Sequence, residues 1–263
     1  MSRRRAFVRS GVAMNYALGR YVFGLAVIAS GICTLAWHQF SNVPPYPALE
    51  TARTTLAYAV GAIQIIAGAA LFWPRTARAG AIALAALYII FALSITPAIA
   101  KHPLVYNGYG NVFEQLSYVA AALILYAASV PAPPHATTLA RIGYYGFGLC
   151  VLSFGLEQLF YLDPTAGLVP KWIPPNQMFW ATATTAAFVL AAIGLLTGFW
   201  SRLAAALTAA MVAGFGALVW VPILFEDPRG FPNWSEGTET LAIAAAAWIV
   251  AGYASKKPKP SLS

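Results

Sequence analysis

Long apolar runs alternate with short polar breaks along the chain. Eight runs have the length of a membrane-crossing helix: 16–37, 55–73, 77–97, 112–130, 140–161, 179–200, 203–224 and 238–254. Crossing the hydrocarbon core as a helix takes about 20 mainly apolar residues. The runs are continuous, rich in Ala, Leu, Ile and Gly, and lack apolar–polar alternation. They therefore read as helices and not as barrel strands, the two structures that satisfy their own backbone groups in lipid. Most runs end on Arg, Pro or aromatic residues. The pattern predicts an all-α fold, a polytopic membrane helix bundle with eight transmembrane helices.

The runs fall into two sets of four. Residues 18–37, LGRYVFGLAVIASGICTLAW, return as residues 142–161, IGYYGFGLCVLSFGLEQLFY, with eight of twenty positions identical, among them Gly19/Gly143, Phe23/Phe147, Gly24/Gly148 and Gly31/Gly155. The offset of 124 also pairs Arg78 with Arg202, an offset of 125 pairs Glu114 with Glu239, and one of 126 pairs Val43-Pro44 with Val169-Pro170. Such a period marks a duplicated structural unit. It predicts two parallel four-helix repeats at 16–131 and 140–254, a basic N-terminus at 1–15, a linker at 132–139 and a basic tail at 255–263. An even number of spans per repeat makes both repeats enter and leave on the same side.

Composition and charge sharpen this reading. Apolar residues make up 60% of the chain and charged residues 9%, with a mean hydropathy of +0.68; soluble domains carry roughly 25% charge. With a cytoplasmic N-terminus, twelve Lys and Arg lie on the inner side, and only Arg53, Lys101, Lys171 and Arg229 lie on the outer side. That asymmetry follows the positive-inside rule and places both termini in the cytoplasm. The net charge of +8 is a topology signal, and nucleic acid is not an expected partner. The acidic residues Glu50, Glu114, Glu157, Asp163, Glu226, Asp227, Glu236 and Glu239 all fall in outer loops or outer helix ends, so polar chemistry is expected on the outer face. Arg4-Arg5-Ala6-Phe7-Val8 resembles a twin-arginine export signal. The apolar run that continues to Trp37 lacks a small-residue cleavage site, so an uncleaved anchor is expected. The tail at Lys256-Lys257-Pro258-Lys259 is expected to touch anionic lipid.

Glu157 is the most conspicuous ionisable residue, inside a span at Gly155-Leu156-Glu157-Gln158. A carboxylate at membrane depth is costly and faces a partner or a wet cavity. It either accepts a proton or holds a ligand, or it hydrogen-bonds a neighbouring helix; its repeat counterpart is Cys33. Asn111-x-x-Glu114 and Asn233-x-x-Glu236 have the spacing of helix N-caps, where acidic groups complement the positive helix end. His38 and His102 lie on the outer side, where a metal site with a carboxylate is one option. In the repeat register Cys33 and Cys150 stand about 10 Å apart along the helix axis. A disulfide needs Cα atoms within roughly 7 Å, so two buried thiols are expected.

Leu168-Val169-Pro170-Lys171-Trp172-Ile173-Pro174-Pro175 is too apolar for an ordinary loop and too broken for a long helix. It is expected to dip into the membrane interface as a lid over the fifth and sixth spans. Trp172 either anchors in lipid or helps close an aromatic, carboxylate-edged pocket suited to a flat apolar ligand such as a quinone head. The inner halves of the spans hold almost no ionisable groups, and Gln64 is the most polar residue near mid-span. That counts against an ion-coupled transporter.

Gly155-Leu156-Glu157-Gln158-Leu159-Phe160, Val169-Pro170-Lys171-Trp172-Ile173-Pro174, Leu195-Leu196-Thr197-Gly198, Ser201-Arg202-Leu203-Ala204-Ala205 and Asn233-Trp234-x-Glu236 occur in that order. They resemble the successive landmarks of the DoxX and DoxX-like membrane proteins, four-helix units of bacteria and archaea. Gly19-Arg20, Gly24, Gly31 and Arg78-Ala79 give the first half the same resemblance. Many relatives carry a His near the place of Gln158, which this chain lacks. The resemblance implies a multi-pass protein of the bacterial cytoplasmic (inner) membrane. It also implies a quinone-interacting membrane subunit of a sulfur-compound or oxidative-stress redox complex, with no more catalytic role than that. The expected ligand set is Glu157, Gln158, Trp172, Glu114, Glu239 and His38, with quinone the candidate cofactor. The lipid bilayer and a redox protein are the expected partners, and a homo-oligomer stays open. A small-solute carrier, or a structural or assembly protein without a ligand, are the alternatives.

Overall fold

A computed structural model describes the backbone of residues 2–40, 51–130 and 134–255, and the side chains of these residues from Leu18 onward. Val43-Pro44, Glu50, the side chains of the N-terminal arginines and Lys256–Lys259 lie outside the described residues. Ten α-helices are described: α1 (Ser2–Trp37), α2 (Arg53–Ala70), α3 (Ala77–Lys101), α4 (Tyr106–Ala128), α5 (Pro134–Phe160), the short α6 (Leu162–Leu168), α7 (Gln177–Thr197), α8 (Ser201–Phe215), α9 (Val221–Glu226) and α10 (Phe231–Ala254). A π-helical turn, Gly216–Trp220, joins α8 to α9. No strand occurs among the described residues.

Seven stretches are long and apolar enough to cross a membrane: Leu18–Trp37, Ala77–Lys101, Tyr106–Ala128, Pro134–Phe160, Gln177–Thr197, Ser201–Glu226 and Phe231–Ala254. The chain is an all-α membrane protein with its apolar helices against lipid. The run at 55–73 is the one that falls short. Its helix, α2, begins on Arg53-Thr54-Thr55 and ends at Ala70, leaving the apolar Leu71, Phe72 and Trp73 in the following turn. Beyond α1, three helices start six or seven residues before their apolar runs: α4 at Tyr106, α10 at Phe231, and α5 at Pro134, inside the expected linker. Proline is well suited to the first position of a helix.

Each long helix packs on its neighbour in the chain, and the ring closes: α1 on α2, α2 on α3, α3 on α4, α4 on α5, α5 on α7, α7 on α8, α8 on α10, and α10 back on α1. Helices α4 and α10 also touch. Small residues allow the closest approaches. Gly24 and Gly31 of α1 face Gly68 and Gly61 of α2 so tightly that a Cβ at Gly24 or Gly31 would stand 2.8 Å from the opposing carbonyl oxygen. Close backbone contact of this kind is a main source of helix association in lipid. On the other side of the ring, Gly148 and Gly155 of α5 meet Leu195-Leu196 and Phe188-Val189 of α7. Gly19 of α1 packs on Trp248 and Ile249 of α10, and Gly143 of α5 packs on Leu123 and Ile124 of α4. Cys33 and Cys150 are buried and free.

Inside the first four helices, buried polar and aromatic side chains meet. Thr34 Oγ1 donates to Gln64 Oε1 at 3.2 Å, and Gln64 Nε2 donates to the Tyr88 hydroxyl at 3.2 Å. Both ends of the buried amide are thus satisfied within the protein, as buried polar groups require. The Tyr88 ring lies 4.1 Å from the Tyr118 ring and meets Phe91 edge-on at 5.7 Å.

Candidate functional site

The last four long helices, with Glu114 of α4, line a half-open cavity of about 330 Å³. Its wall is mostly apolar, with Phe154 of α5, Trp180 and Phe188 of α7, Val212 and Phe215 of α8, Leu218, Val219 and Trp220 of the π-turn, and Ile243 of α10. Glu114, Glu157, Gln158, Thr165, Thr184, Glu236 and Thr240 supply the polar part of the lining, and no Lys, Arg or His belongs to it.

Glu157 sits near the end of α5 and is braced by α4. Its carboxylate lies over Gly110, where a Cβ would overlap both carboxylate oxygens, and Asn107 Nδ2 donates to Oε1 at 3.4 Å. The same helix ends are pinned by Tyr106 and Ser153, whose hydroxyls lie 3.1 Å apart, and by the Asn107 amide, which donates to the Tyr161 hydroxyl. Gln158 faces the other way. Its Oε1 accepts from Thr184 and Thr185 of α7, each at 3.2 Å, so one carbonyl joins the two helices beside the cavity.

The end of α6 and the segment after it roof the cavity through Thr165, Leu168, Val169, Pro170 and Ile173. Asn176 caps α7 by accepting from the Phe179 amide at 2.8 Å, a favoured role for Asn. Two side chains from the first turn of α7 then reach back to the roof: Gln177 Nε2 donates to the Val169 carbonyl, and Trp180 Nε1 donates to the Pro174 carbonyl at 2.9 Å. The opposite wall owes its shape to the π-turn. Pro222 lies two residues beyond it and has no amide hydrogen to return to the Leu218 carbonyl four residues back, so the α-ladder is interrupted there. Single π-turns often occur at functional sites.

Three of the expected site residues, Glu114, Glu157 and Gln158, meet at this cavity. The other three do not line it. Glu239 is buried in α10 and accepts from Gln115 Nε2 at 3.3 Å. Trp172 is 74% exposed, beside the roof but outside the cavity. His38 is exposed, and its Nε2 lies 2.8 Å from the Tyr58 hydroxyl. No three His, Cys, Asp or Glu side chains stand close enough to hold a metal ion among the described residues, so His38 and His102 do not join a carboxylate in one.

Two expectations about helix ends need correction. Asn111 and Asn233 are not caps, because α4 and α10 have already begun at Tyr106 and Phe231; Val105 and Gly230 occupy the cap positions without side-chain bonds. Asn233 instead donates to the backbone and side chain of Asp227. Glu114 and Glu239 accordingly lie not at helix ends but about 12 Å along their helices, at 1.5 Å per residue.

Sequence reasoning missed Asn107, Gly110 and the π-turn. Gly108 and Gly110 within the opening turns of a helix were the available signal, since each costs about 1 kcal/mol against Ala. Pro222 inside an apolar run was the signal for the second.

Residues 136–221 match the DoxX family model, a stretch that holds most of α5, the roof, α7, α8 and the π-turn. No curated protein and no solved structure matches the chain. Over that stretch the chain is similar to DoxX proteins, and its apolar helices mark it as a membrane protein.

Proposed function

We propose that the protein holds a flat apolar ligand of the quinone class in this cavity, as the membrane subunit of a sulfur-compound or oxidative-stress redox complex. The observation that carries the reading is the junction of an aromatic chamber with Glu157, Glu114 and Gln158. The residues present fit such a group. The volume falls at the lower end of ligand pockets, roughly 300–1,000 Å³, and Trp180, Phe188 and Phe215 offer ring faces for offset or edge contact. A bound quinone supplies electron transfer linked to proton uptake. The chain's own residues would orient and shield it: Gly110 and Asn107 hold Glu157 where its protonated carboxyl would pass a proton to a ligand oxygen and be left as the carboxylate, and the roof would shield one side from water.

The topology belongs to the same reading. Eight spans, with α2 among them, leave both termini in the cytoplasm of a bacterial inner membrane and turn the acidic helix ends outward. The polar Gln64 of α2 is satisfied by Thr34 and Tyr88, so it need not face lipid. A duplicated unit is supported by contacts that recur in register: Gly19 on Trp248-Ile249 and Gly143 on Leu123-Ile124. A partner carrying the electron-transfer cofactor docks on the outer face. The carrier reading lacks a comparable observation, because the polar residues near mid-span in the first half bond one another.

Mass spectrometry of the organic extract from gently purified protein tests the proposal, wild type beside Glu157→Gln. Stoichiometric quinone in the wild type and less in the variant is expected. Phospholipid alone, equal in both samples, refutes it.

A further inference from the structure

We infer that the first half contains a closed counterpart of the cavity, plugged by Tyr88 and Tyr118, so that each chain holds one ligand and holds it in the second half. The inference rests on the reading of the cavity as a ligand site. Its basis is the register between the halves. Gly24 packs on Leu71 and Phe72, and Gly148 packs on Leu195 and Leu196; Gly31 packs on Gln64 and Ile65, and Gly155 packs on Phe188 and Val189. Gly80 meets the Ala70 side chain as Gly194 meets that of Ala204. Every one of these pairs is related by the offset of 124 that joins Arg78 to Arg202. For the fourth helix the offset is 125, since Leu123 and Ile124 correspond to Trp248 and Ile249.

This register pairs five cavity-lining residues with five buried ones. Gln158 answers to Thr34, Phe188 to Gln64, and Phe215 to Phe91; the decisive exchanges are Val212 for Tyr88 and Ile243 for Tyr118. Where the second half has a valine, an isoleucine and a void, the first half has two phenol rings 4.1 Å apart. The Tyr88 hydroxyl completes the chain from Thr34 through Gln64, so the plug is bonded on its polar side and packed on its apolar side. Of the two expected site carboxylates at the cavity, Glu114 keeps an acidic counterpart in Glu239 and Glu157 is exchanged. Glu157 needs the missing Cβ of Gly110, and the corresponding pair in the register is Cys33 with Ser235, both buried. With the carboxylate replaced by a thiol, the facing helix tolerates a side chain.

Thiol labelling tests the plug without reference to any ligand. In a full-length chain with Cys33→Ala and Cys150→Ala, Gln158→Cys or Thr34→Cys is added and treated with a small polar methanethiosulfonate reagent. The Gln158→Cys variant is expected to react at least about tenfold faster than Thr34→Cys, as a buried thiol is shielded from reagent. Adding Tyr88→Val and Tyr118→Ile to Thr34→Cys brings its rate to within a few-fold of the open site. Adding Val212→Tyr and Ile243→Tyr to Gln158→Cys slows it about tenfold, and in the otherwise unaltered chain the same pair abolishes quinone retention. Equal labelling of Thr34→Cys and Gln158→Cys, or no slowing by the tyrosine pair, overturns the inference. Should labelling follow the expected order while the wild type carries no quinone, the quinone assignment fails and the plugged counterpart stands.

Discussion

Gly110→Ala isolates the bracing of Glu157 by α4. A methyl at this position would overlap both carboxylate oxygens of Glu157. The obstacle is the far end of a flexible side chain, so the carboxylate swings away and the helices stay together. The folded state loses the bond from Asn107, which at 3.4 Å is long and belongs at the low end of a hydrogen bond's net value, about 0.5–1 kcal/mol. Ala in place of Gly inside a helix returns about 0.8–1 kcal/mol. Stability is therefore expected to change by less than about 1 kcal/mol. Ligand affinity responds differently, because a displaced carboxylate withdraws a charge-assisted hydrogen bond worth about 1.5–3 kcal/mol. That corresponds to roughly ten- to hundredfold in Kd. A short-chain quinone titrated into nanodisc-embedded protein, read by quenching of Trp180 and Trp220 fluorescence, measures the effect, and thermal unfolding supplies the stability control. On a Glu157→Ala background the substitution should change Kd less than about twofold, since the coupling belongs to the pair. Wild-type affinity in Gly110→Ala, or an equal loss on the Glu157→Ala background, refutes the bracing role.

The same titration separates two tryptophans. Trp180 lines the cavity and Trp172 does not, so Trp180→Ala should weaken quinone binding at least several-fold, in line with about 0.5–1.5 kcal/mol for an aromatic contact beyond its buried area. Trp172→Ala should stay within about twofold, and a larger loss would bring that residue back to the site. Gln64→Leu strands the Thr34 and Tyr88 hydroxyls and should lower stability by about 1–3 kcal/mol. Thermal unfolding in detergent checks this; adding Tyr88→Phe should recover part of the loss, because removing both partners costs less than orphaning one.

Hydropathy made the spanning helices legible because lipid selects for long apolar runs, and it misplaced the helix starts for the same reason. Tyr106-Asn107-Gly108 and Phe231-Pro232-Asn233 are polar or broken enough to read as loop. They are helical because their side chains bond other elements at that end of the bundle: Tyr106 to Ser153, Asn107 to Glu157, Asn233 to Asp227. Glu157 and Gln158 stood out because a polar pair inside an apolar run demands a reason. Trp172 and His38 shared the expected side of the membrane, but a common side does not imply a common site; one is exposed outside the cavity and the other meets Tyr58.

The cavity itself could not be read from any residue type, since Val212 and Ile243 are ordinary helix residues in an apolar chain. A void arises where side chains are smaller than the space between helices, and that space is fixed by contacts elsewhere. The halves share those contacts, with glycines of the first helix against the second and the third helix against the second at small residues. The spacing of the helices is therefore similar on both sides, and under the inferred plug the two interiors differ through the side chains that fill them. Tyr88 and Tyr118 against Val212 and Ile243 is such a difference. Under the proposed duplication, each half serves as a control that shows what the other would be with its interior exchanged.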